Sequence, residues 1–276
     1  LNAPFNGEAK ELFKTQWRFR GINCGNESLP LVSEGLAGRQ RARIHKYNPS
    51  TGALELMLER ATTDAYSDPG QPYTSRNKWG RQVITTVDNG SKLLMINNTG
   101  SSPKGDLPFL AKFDLSSKQS EIIWRCTEGQ FESIVDILDA EKLTLVTRRE
   151  TQKDVPNYYI KDLKARIADR ALTNFSNPYP ALEGITKEKI KYKRADGVDL
   201  TGDLYLPKGY DPKKDGPLPV FMWAYPREFN SAADAAQVRG SKDRFTTISW
   251  GGPVFWVTQG YAVLDNAEMP IVATSA

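Results

Sequence analysis

Histidine and cysteine are scarce in this sequence of 276 residues. Its single histidine is His45, and its two cysteines, Cys24 and Cys126, lie far apart without the spacing of a metal site. A catalytic triad or a multi-histidine metal site would therefore have to use His45 or do without histidine. We expect no metal, no cofactor, and buried free thiols rather than a disulfide. For His45, the alternatives are a structural or solvated side chain and a pH-sensitive group that faces a substrate.

Long apolar runs and a strong charge imbalance are also missing. No run of about 18 apolar residues occurs, so the sequence predicts no membrane-spanning helix. The formal net charge of +4 is small and its basic residues are spread along the chain, so nothing indicates nucleic acid as a partner. The first ten residues lack the basic start and apolar middle of a signal peptide.

A strand-turn-strand pattern is present three times. It spans Arg41 to Glu59, Phe109 to Cys126 and Asn157 to Phe175. In each segment an aromatic residue leads into a polar turn and a second apolar strand. Two shorter strand-like runs precede each segment, and turns such as "VDNGSK" fit tight hairpins.

Each segment and its preceding runs form a group of about four strands. The groups lie at about 14–60, 66–126 and 127–175, and such a period predicts antiparallel β-propeller blades. Three blades do not close a ring, because propellers have about four to eight. We therefore expect an incomplete propeller at 1–176, with the missing blades upstream of Leu1. The alternative is a generic antiparallel sandwich.

A second pattern begins after the prolines of "NPYP", which end the last strand of the third group. The order hairpin, buried strand, helix, buried strand is typical of the start of an α/β sheet. The predicted elements are a hairpin that turns at 195–197, a buried strand over 220–223 followed by a loop at 224–226, a helix around 231–240, a helix ending near 259–260, and a strand over 261–265.

Several motifs resemble the prolyl oligopeptidase family, in which a β-propeller precedes an α/β-hydrolase domain. The run "GITKEKIKYKRADGVDLTGDLYLPKGYDP" is similar to the beginning of that hydrolase domain. The runs "GSSPKGDLPFLAKFDL", "PNYYIKDL", "MWAYPREF" and "GYAVLDNAEMPIV" look most like the glutamyl endopeptidase-like branch. The resemblance implies a mixed fold, with propeller blades at 1–176 and the first part of a hydrolase domain at 177–276. Exported bacterial members make a periplasmic or secreted location the expectation.

The resemblance also implies a serine peptidase that hydrolyses oligopeptides through an acyl-enzyme, with cleavage after glutamate as the expected specificity. The triad is absent from this chain, because it has no Gly-x-Ser-x-Gly motif and no histidine after His45. We expect the chain to stop before the nucleophile and to be inactive alone. The alternative is a non-catalytic propeller that binds a partner and carries a vestigial hydrolase segment, although its half sheet would leave an edge unpaired.

The loop after the strand at 220–223 provides one oxyanion donor in α/β-hydrolases. Trp223 stands where the family's tyrosine would align, and Tyr225 follows two residues later. Both side chains carry a donor, and we favour Tyr225 because a phenol at the start of a loop can reach a cleft. The alternative role for Tyr225 is packing in the core.

Arg227 and Arg239 are candidates for binding the substrate. A peptidase that cuts after glutamate has to neutralise a carboxylate, and arginine does so with two parallel hydrogen bonds. Both residues follow the strand at 220–223. The alternatives are an ion pair with Glu228 or Asp234, or simple exposure to solvent.

Overall fold

The computed structural model describes residues 4–25, 29–165 and 167–273 and consists mainly of antiparallel sheets. Within this part of the chain, no helix is long and apolar enough to cross a membrane. The chain divides into two compact units. The first comprises Leu1–Thr62, Pro72–Met95 and Lys112–Glu121, and the second comprises Thr63–Gln71, Ile96–Ala111 and Ile122–Ala276. The domain limits 1–176 and 177–276 stay a prediction.

The first sheet has four antiparallel strands in the order β1-β2-β3-β4. The strands are β1 (Arg18–Cys24), β2 (Pro30–Leu36), β3 (Arg41–Tyr47) and β4 (Leu54–Ala61). The predicted strand-turn-strand segment from Arg41 to Glu59 is confirmed as β3 and β4. The turn between them forms because the Asn48 side chain accepts hydrogen bonds from the amides of Ser50 and Thr51.

His45 lies in this sheet, where it contacts Glu34. Nε2 of His45 is 3.0 Å from Oε1 of Glu34, and the other Glu34 oxygen accepts a hydrogen bond from the Trp17 amide. Burial raises the pKa of Glu34, but the bonds from Trp17, His45 and Arg43 hold that pKa below its ordinary value. The side chain of His45 is only 12% exposed, and that of Glu34 is 1% exposed. The arrangement supports the structural interpretation of His45.

The second sheet is less regular than the first. Its main path is β11-β10-β9-β5, with β8 paired to β9, and a separate hairpin is formed by β6 and β7. The strands are β5 (Gln71–Pro72), β6 (Thr74–Arg76), β7 (Gln82–Ile84), β8 (Thr86–Val87), β9 (Lys92–Asn97), β10 (Phe109–Asp114) and β11 (Ser120–Arg125). The predicted tight turn in "VDNGSK" is confirmed, because Asp88, Asn89 and Gly90 all have positive φ between β8 and β9.

The third sheet has the regular order β12-β13-β14-β15. The strands are β12 (Phe131–Asp139), β13 (Thr144–Glu150), β14 (Asn157–Asp162) and β15 (Arg170–Ala171). All three pairings are antiparallel. The fully buried Glu132 of β12 accepts a hydrogen bond of 2.6 Å from the Thr147 hydroxyl on β13, so this carboxylate is satisfied inside the sheet.

The fourth sheet has the order β16-β17-β19-β18 and contains a parallel pair, β18 and β19. The strands are β16 (Thr186–Lys193), β17 (Asp199–Leu206), β18 (Val220–Phe229) and β19 (Ala262–Val272). The predicted hairpin is confirmed as β16 and β17, which pair antiparallel. The helices in the described residues are α1 (Ala232–Ala235) and three 3₁₀ helices, Ala37–Arg39, Pro180–Leu182 and Pro253–Gln259.

The helices and the last strand differ in extent from the sequence prediction. The helix predicted around 231–240 is the four-residue α1, which begins where the Ser231 hydroxyl accepts a hydrogen bond from the Asp234 amide. The helix predicted to end near Gln259 does end there, with Gly260 at φ 83°, but it is a 3₁₀ helix. The strand predicted over 261–265 continues to Val272, because it pairs along the whole of β18.

The run Val220–Trp223 does form a strand, but the prediction that it is buried and central was wrong for this chain. β18 lies at the edge of the sheet, and Val220, Met222 and Trp223 are at least half exposed. The physical reason is that none of the described strands pairs with the outer edge of β18. The loop predicted at 224–226 was also wrong, since β18 continues through Pro226 to Phe229. Proline is tolerated there because an edge strand can lack a donor on its free side.

Two apolar clusters fix the elements around this sheet. One joins the two later 3₁₀ helices to β17 and β19 through Leu182, Tyr205, Val254, Val257 and Val263. The other joins β17 and the end of β18 to α1, and it comprises Val198, Leu200, Phe229 and Ala235. The second cluster determines where α1 and the residues after it lie.

The two cysteines are free, but only Cys126 is buried as predicted. We expect a thiol reagent to modify Cys24 within minutes in the native protein and Cys126 only after unfolding. Burial raises the pKa of Cys126 to about 11, so its reactive thiolate is rare at neutral pH. Counting labelled thiols by mass spectrometry, with and without denaturant, checks this. Equal native labelling of both cysteines would contradict it.

Candidate functional site

A cavity of about 280 Å³ lies beside the C-terminal halves of β18 and β19 in the second unit. Ligands of α/β sheets bind beside the carboxyl ends of parallel strands, so this is the position where a ligand site is expected. The lining is highly charged, with four basic and two acidic side chains. The lining residues are Lys189, Thr201, Asp203, Tyr225, Arg227, Phe229, Ala235, Arg239, Gly240, Arg244, Asn266, Ala267, Glu268, Met269 and Pro270.

The cavity brings together three of the four residues predicted from the sequence. Tyr225 and Arg227 are two residues apart on β18, so they share the face of the strand that lines the cavity. Arg239 lines it from the segment after α1. Trp223 is not among the lining residues, and it lies where the pairing of β18 with β19 is interrupted.

A β-bulge causes this interruption. Met222 pairs with Leu264 and Ala224 pairs with Ala267, so β19 has one more residue than β18 over this stretch. Asn266, at φ 50°, takes up the left-handed conformation within the extra length. The bulge therefore shifts the pairing just before Tyr225, which is 79% exposed and lines the cavity.

Arg239 is fixed by its surroundings. Its Nη2 donates to the carbonyl oxygen of Thr63 at 2.8 Å and to that of Asp234 at 3.1 Å. Its guanidinium carbon lies 5.2 Å from the centre of the Phe229 ring. Burial lowers the pKa of Arg239, and the neighbouring positive charge of Arg227 lowers it further. Two guanidinium groups therefore lie close enough to repel one another.

Arg227 is exposed, and its guanidinium makes no hydrogen bond or ion pair within the described parts of the chain. The alternative prediction of an ion pair with Glu228 or Asp234 therefore does not describe this side chain. An anion between Arg227 and Arg239 would relieve their mutual repulsion. A carboxylate suits this position, because arginine can bind both of its oxygens.

Lys189, Asp203 and Glu268 are lining residues that sequence reasoning missed. Nζ of Lys189 lies 2.8 Å from Oδ1 of Asp203, and both side chains are about nine-tenths buried. The same Nζ donates to the carbonyl oxygen of Arg239 at 2.9 Å. Lys189 and Asp203 are directly opposite in the β16–β17 register, so the hairpin predicted at 195–197 could have identified this pair.

Glu268 is a half-buried acid on β19. Its Oε2 accepts a hydrogen bond of 2.6 Å from the Thr201 amide. Burial raises the pKa of Glu268, and the Thr201 amide, Lys189 and Arg239 only partly oppose this effect. The ionised form of Glu268 is therefore less favourable in the folded chain than in the unfolded chain.

Replacing Glu268 by glutamine is expected to raise the free energy of unfolding at pH 7, because the neutral amide carries no charge whose burial is unfavourable. Above its raised folded-state pKa, Glu268 is ionised in both states, and its buried charge destabilises the folded chain. Below its unfolded value of 4.5 it is protonated in both states, and this destabilisation is absent. The gain should therefore shrink as the pH falls towards 4. Urea denaturation at both pH values measures it, with the exposed Glu188→Gln as the control. A pH-independent difference would contradict the sign of the shift.

Two curated plant proteins are similar to this chain over nearly its whole length. Each is named a probable chloroplastic glutamyl endopeptidase, and they come from Oryza sativa subsp. japonica and Arabidopsis thaliana. Each is 36% identical to this chain over 98% of its residues. The chain spans only 30% of the length of each relative.

A search of protein-family models found no match. Among solved structures, a puromycin-hydrolysing peptidase of Mycobacterium tuberculosis has a TM-score of 0.51 with 12% identity, covering 93% of this chain and 42% of that chain. At this identity the likeness concerns the fold alone. The identity to the two plant proteins goes further, because it extends over nearly the whole chain, and it supports the resemblance to the prolyl oligopeptidase family that the sequence motifs indicate.

Proposed function

We propose that this chain is part of a serine peptidase that cleaves oligopeptides after glutamate. The observation that carries the specificity is the cavity beside β18 and β19, where Arg227 and Arg239 lie near one another and no acid of the described residues is bound to Arg227. The 36% identity to proteins named as glutamyl endopeptidases supports the reaction class. The reaction would proceed through an acyl-enzyme on serine.

The finer architecture is part of this proposal. The first three sheets would be blades of a propeller at about 14–60, 66–126 and 127–175. The meander order of neighbouring antiparallel strands in the first and third sheets supports this assignment. The fourth sheet would be the first part of the α/β-hydrolase domain, and its parallel pair, joined through α1 and a 3₁₀ helix, supports that assignment.

Three residues at the cavity would contact the substrate. The guanidinium groups of Arg227 and Arg239 would bind the glutamate carboxylate of the substrate. The Tyr225 hydroxyl would donate a hydrogen bond to the oxyanion of the tetrahedral intermediate, and its exposure beside the cavity is compatible with that role. The nucleophilic serine and the histidine base would come from the rest of the complete protein, so these 276 residues would be inactive alone.

The test uses the complete protein that carries this chain. We expect a fluorophosphonate probe to label one serine, and we expect that labelling to abolish hydrolysis of peptide reporters. Reporters with glutamate before the cleaved bond should be turned over at least about tenfold faster than matched alanine reporters. Failure to label any serine would overturn the peptidase proposal and favour a binding module. Equal turnover of both reporters would overturn the specificity.

A further inference from the structure

A loop distant in sequence from the cavity binds the segment that carries Arg239. This 63–66 loop comprises Thr63, Asp64, Ala65 and Tyr66, and it begins two residues after the end of the strand β4. Both the loop and the residues after α1 belong to the second unit. The proposed roles of Tyr225, Arg227 and Arg239 do not involve this loop.

Five hydrogen bonds connect the 63–66 loop with residues 234–239, across more than 170 positions of sequence. The loop donates two of them, from the Thr63 hydroxyl to Asp234 Oδ2 at 2.6 Å and from the Ala65 amide to Gln237 Oε1 at 2.7 Å. It accepts the other three, at Asp64 Oδ1 from Gln237 Nε2 at 2.7 Å, at the Tyr66 hydroxyl from the Val238 amide at 2.7 Å, and at the Thr63 carbonyl from Arg239 Nη2 at 2.8 Å. These distances are at the short end of the usual range.

The bonds constrain the guanidinium of Arg239 as well as its backbone. The Thr63 carbonyl and the Asp234 carbonyl both accept from Nη2. The remaining N–H groups of this side chain are then available to a ligand in the cavity that it lines. The contacts from the loop to Asp234, Gln237 and Val238 fix the segment that leads to Arg239, so the loop controls the direction of its side chain.

We propose that Thr63 and Tyr66 are positioning residues for carboxylate recognition, acting through Arg239. The inference rests on the proposed function, because it assumes that Arg239 binds the substrate carboxylate. Pre-organised donors lose less conformational entropy on binding, so a guanidinium held by the loop binds a carboxylate more tightly than a mobile one. The loop therefore sets the preference for glutamate, although it lies outside the cavity.

The test removes single hydroxyl groups in the complete protein. Tyr66→Phe deletes the bond to the Val238 amide, and Thr63→Val deletes the bond to Asp234. For each variant we expect the preference for glutamate over alanine reporters to fall about threefold to tenfold, as for the loss of one hydrogen bond. The loss should appear in KM for the glutamate reporter rather than in kcat, since the reacting groups are unchanged.

The matched control is Tyr210→Phe, which deletes another hydroxyl bond of 2.7 Å, to the carbonyl of Gly216. It should leave the preference unchanged. In an Arg239→Ala background, Tyr66→Phe should have no further effect on the preference, because the residue through which it acts is gone. Thr63→Val provides the same test if Tyr66→Phe does not fold.

The outcomes separate the two proposals. If Arg239→Ala reduces the preference for glutamate but neither loop variant does, the positioning role is wrong and the carboxylate site stands. An equal loss on both reporters, or a loss that persists without Arg239, would also overturn the positioning role. If Arg239→Ala leaves the preference intact, Arg239 is not part of the carboxylate site, and both assignments to it are wrong.

Discussion

Replacing Gly100 by alanine should destabilise the second unit by at least about 3 kcal/mol. Gly100 has φ 59°, and a Cβ added there would lie 2.5 Å from the carbonyl carbon of Leu107 and closer still to its oxygen. The obstruction is backbone, so it cannot rotate away as a side chain would. The turn is also held at both ends, because the Gly100 amide donates to the side chain of Asn97 and its carbonyl accepts from the Leu107 amide.

Gly129→Ala is the matched control for this substitution. Gly129 also has positive φ, at 86°, but no atom of the residues that the structure describes lies within 4 Å of an added Cβ. Gly129→Ala should lower the free energy of unfolding by only about 1–2 kcal/mol, which is the cost of the left-handed conformation for a residue with a Cβ. Urea denaturation of both variants separates the steric clash from the backbone strain. Equal losses for Gly100→Ala and Gly129→Ala would show that Leu107 can move aside.

The second large effect is expected from Arg227→Ala in the complete protein. It should lower kcat/KM for a glutamate reporter about tenfold to a hundredfold, which corresponds to the loss of a charged hydrogen bond of about 1.5–3 kcal/mol. Arg227 has no protein acid to neutralise it in the described chain, so its removal should cost little stability. Turnover of the alanine reporter should fall far less than that of the glutamate reporter.

Two further variants sharpen this experiment. Arg227→Lys keeps the charge but not the two parallel donors, so it should recover only part of the loss. Arg170→Ala, on the exposed strand β15, removes a positive charge away from the cavity residues and should leave the preference unchanged. If Arg227→Ala reduced both reporters by the same factor, Arg227 would not recognise the glutamate side chain.

Local sequence signals predicted much of the fold. The turn in "VDNGSK" and the hairpin at 195–197 depend on residues that tolerate positive φ, and both are present. The exposure of Val220 and Met222 could not be predicted in this way. An apolar strand is buried only if another element covers it, and β18 lies at the edge of its sheet.

The candidate site was predictable only for residues that follow the apolar run at 220–223 along the chain, and these include Arg239 on the segment after α1. Tyr225 and Arg227 were found because they follow an apolar run, and alternation places them on one face. Glu268 and the 63–66 loop reach the same region through pairings across 43 or more positions, which no local pattern encodes. Without the register of β19 and its bulge at Asn266, the sequence could not place Glu268 beside Tyr225.

The excess of basic groups at the cavity also has a kinetic consequence. Its four basic and two acidic side chains produce a positive local potential that extends beyond the reach of hydrogen bonds. Acidic peptides would then be attracted before they make contact, and their association rate would fall as salt shortens the Debye length to about 8 Å near physiological ionic strength. The cavity would thus select acidic peptides twice, once during diffusion and once in the bound complex.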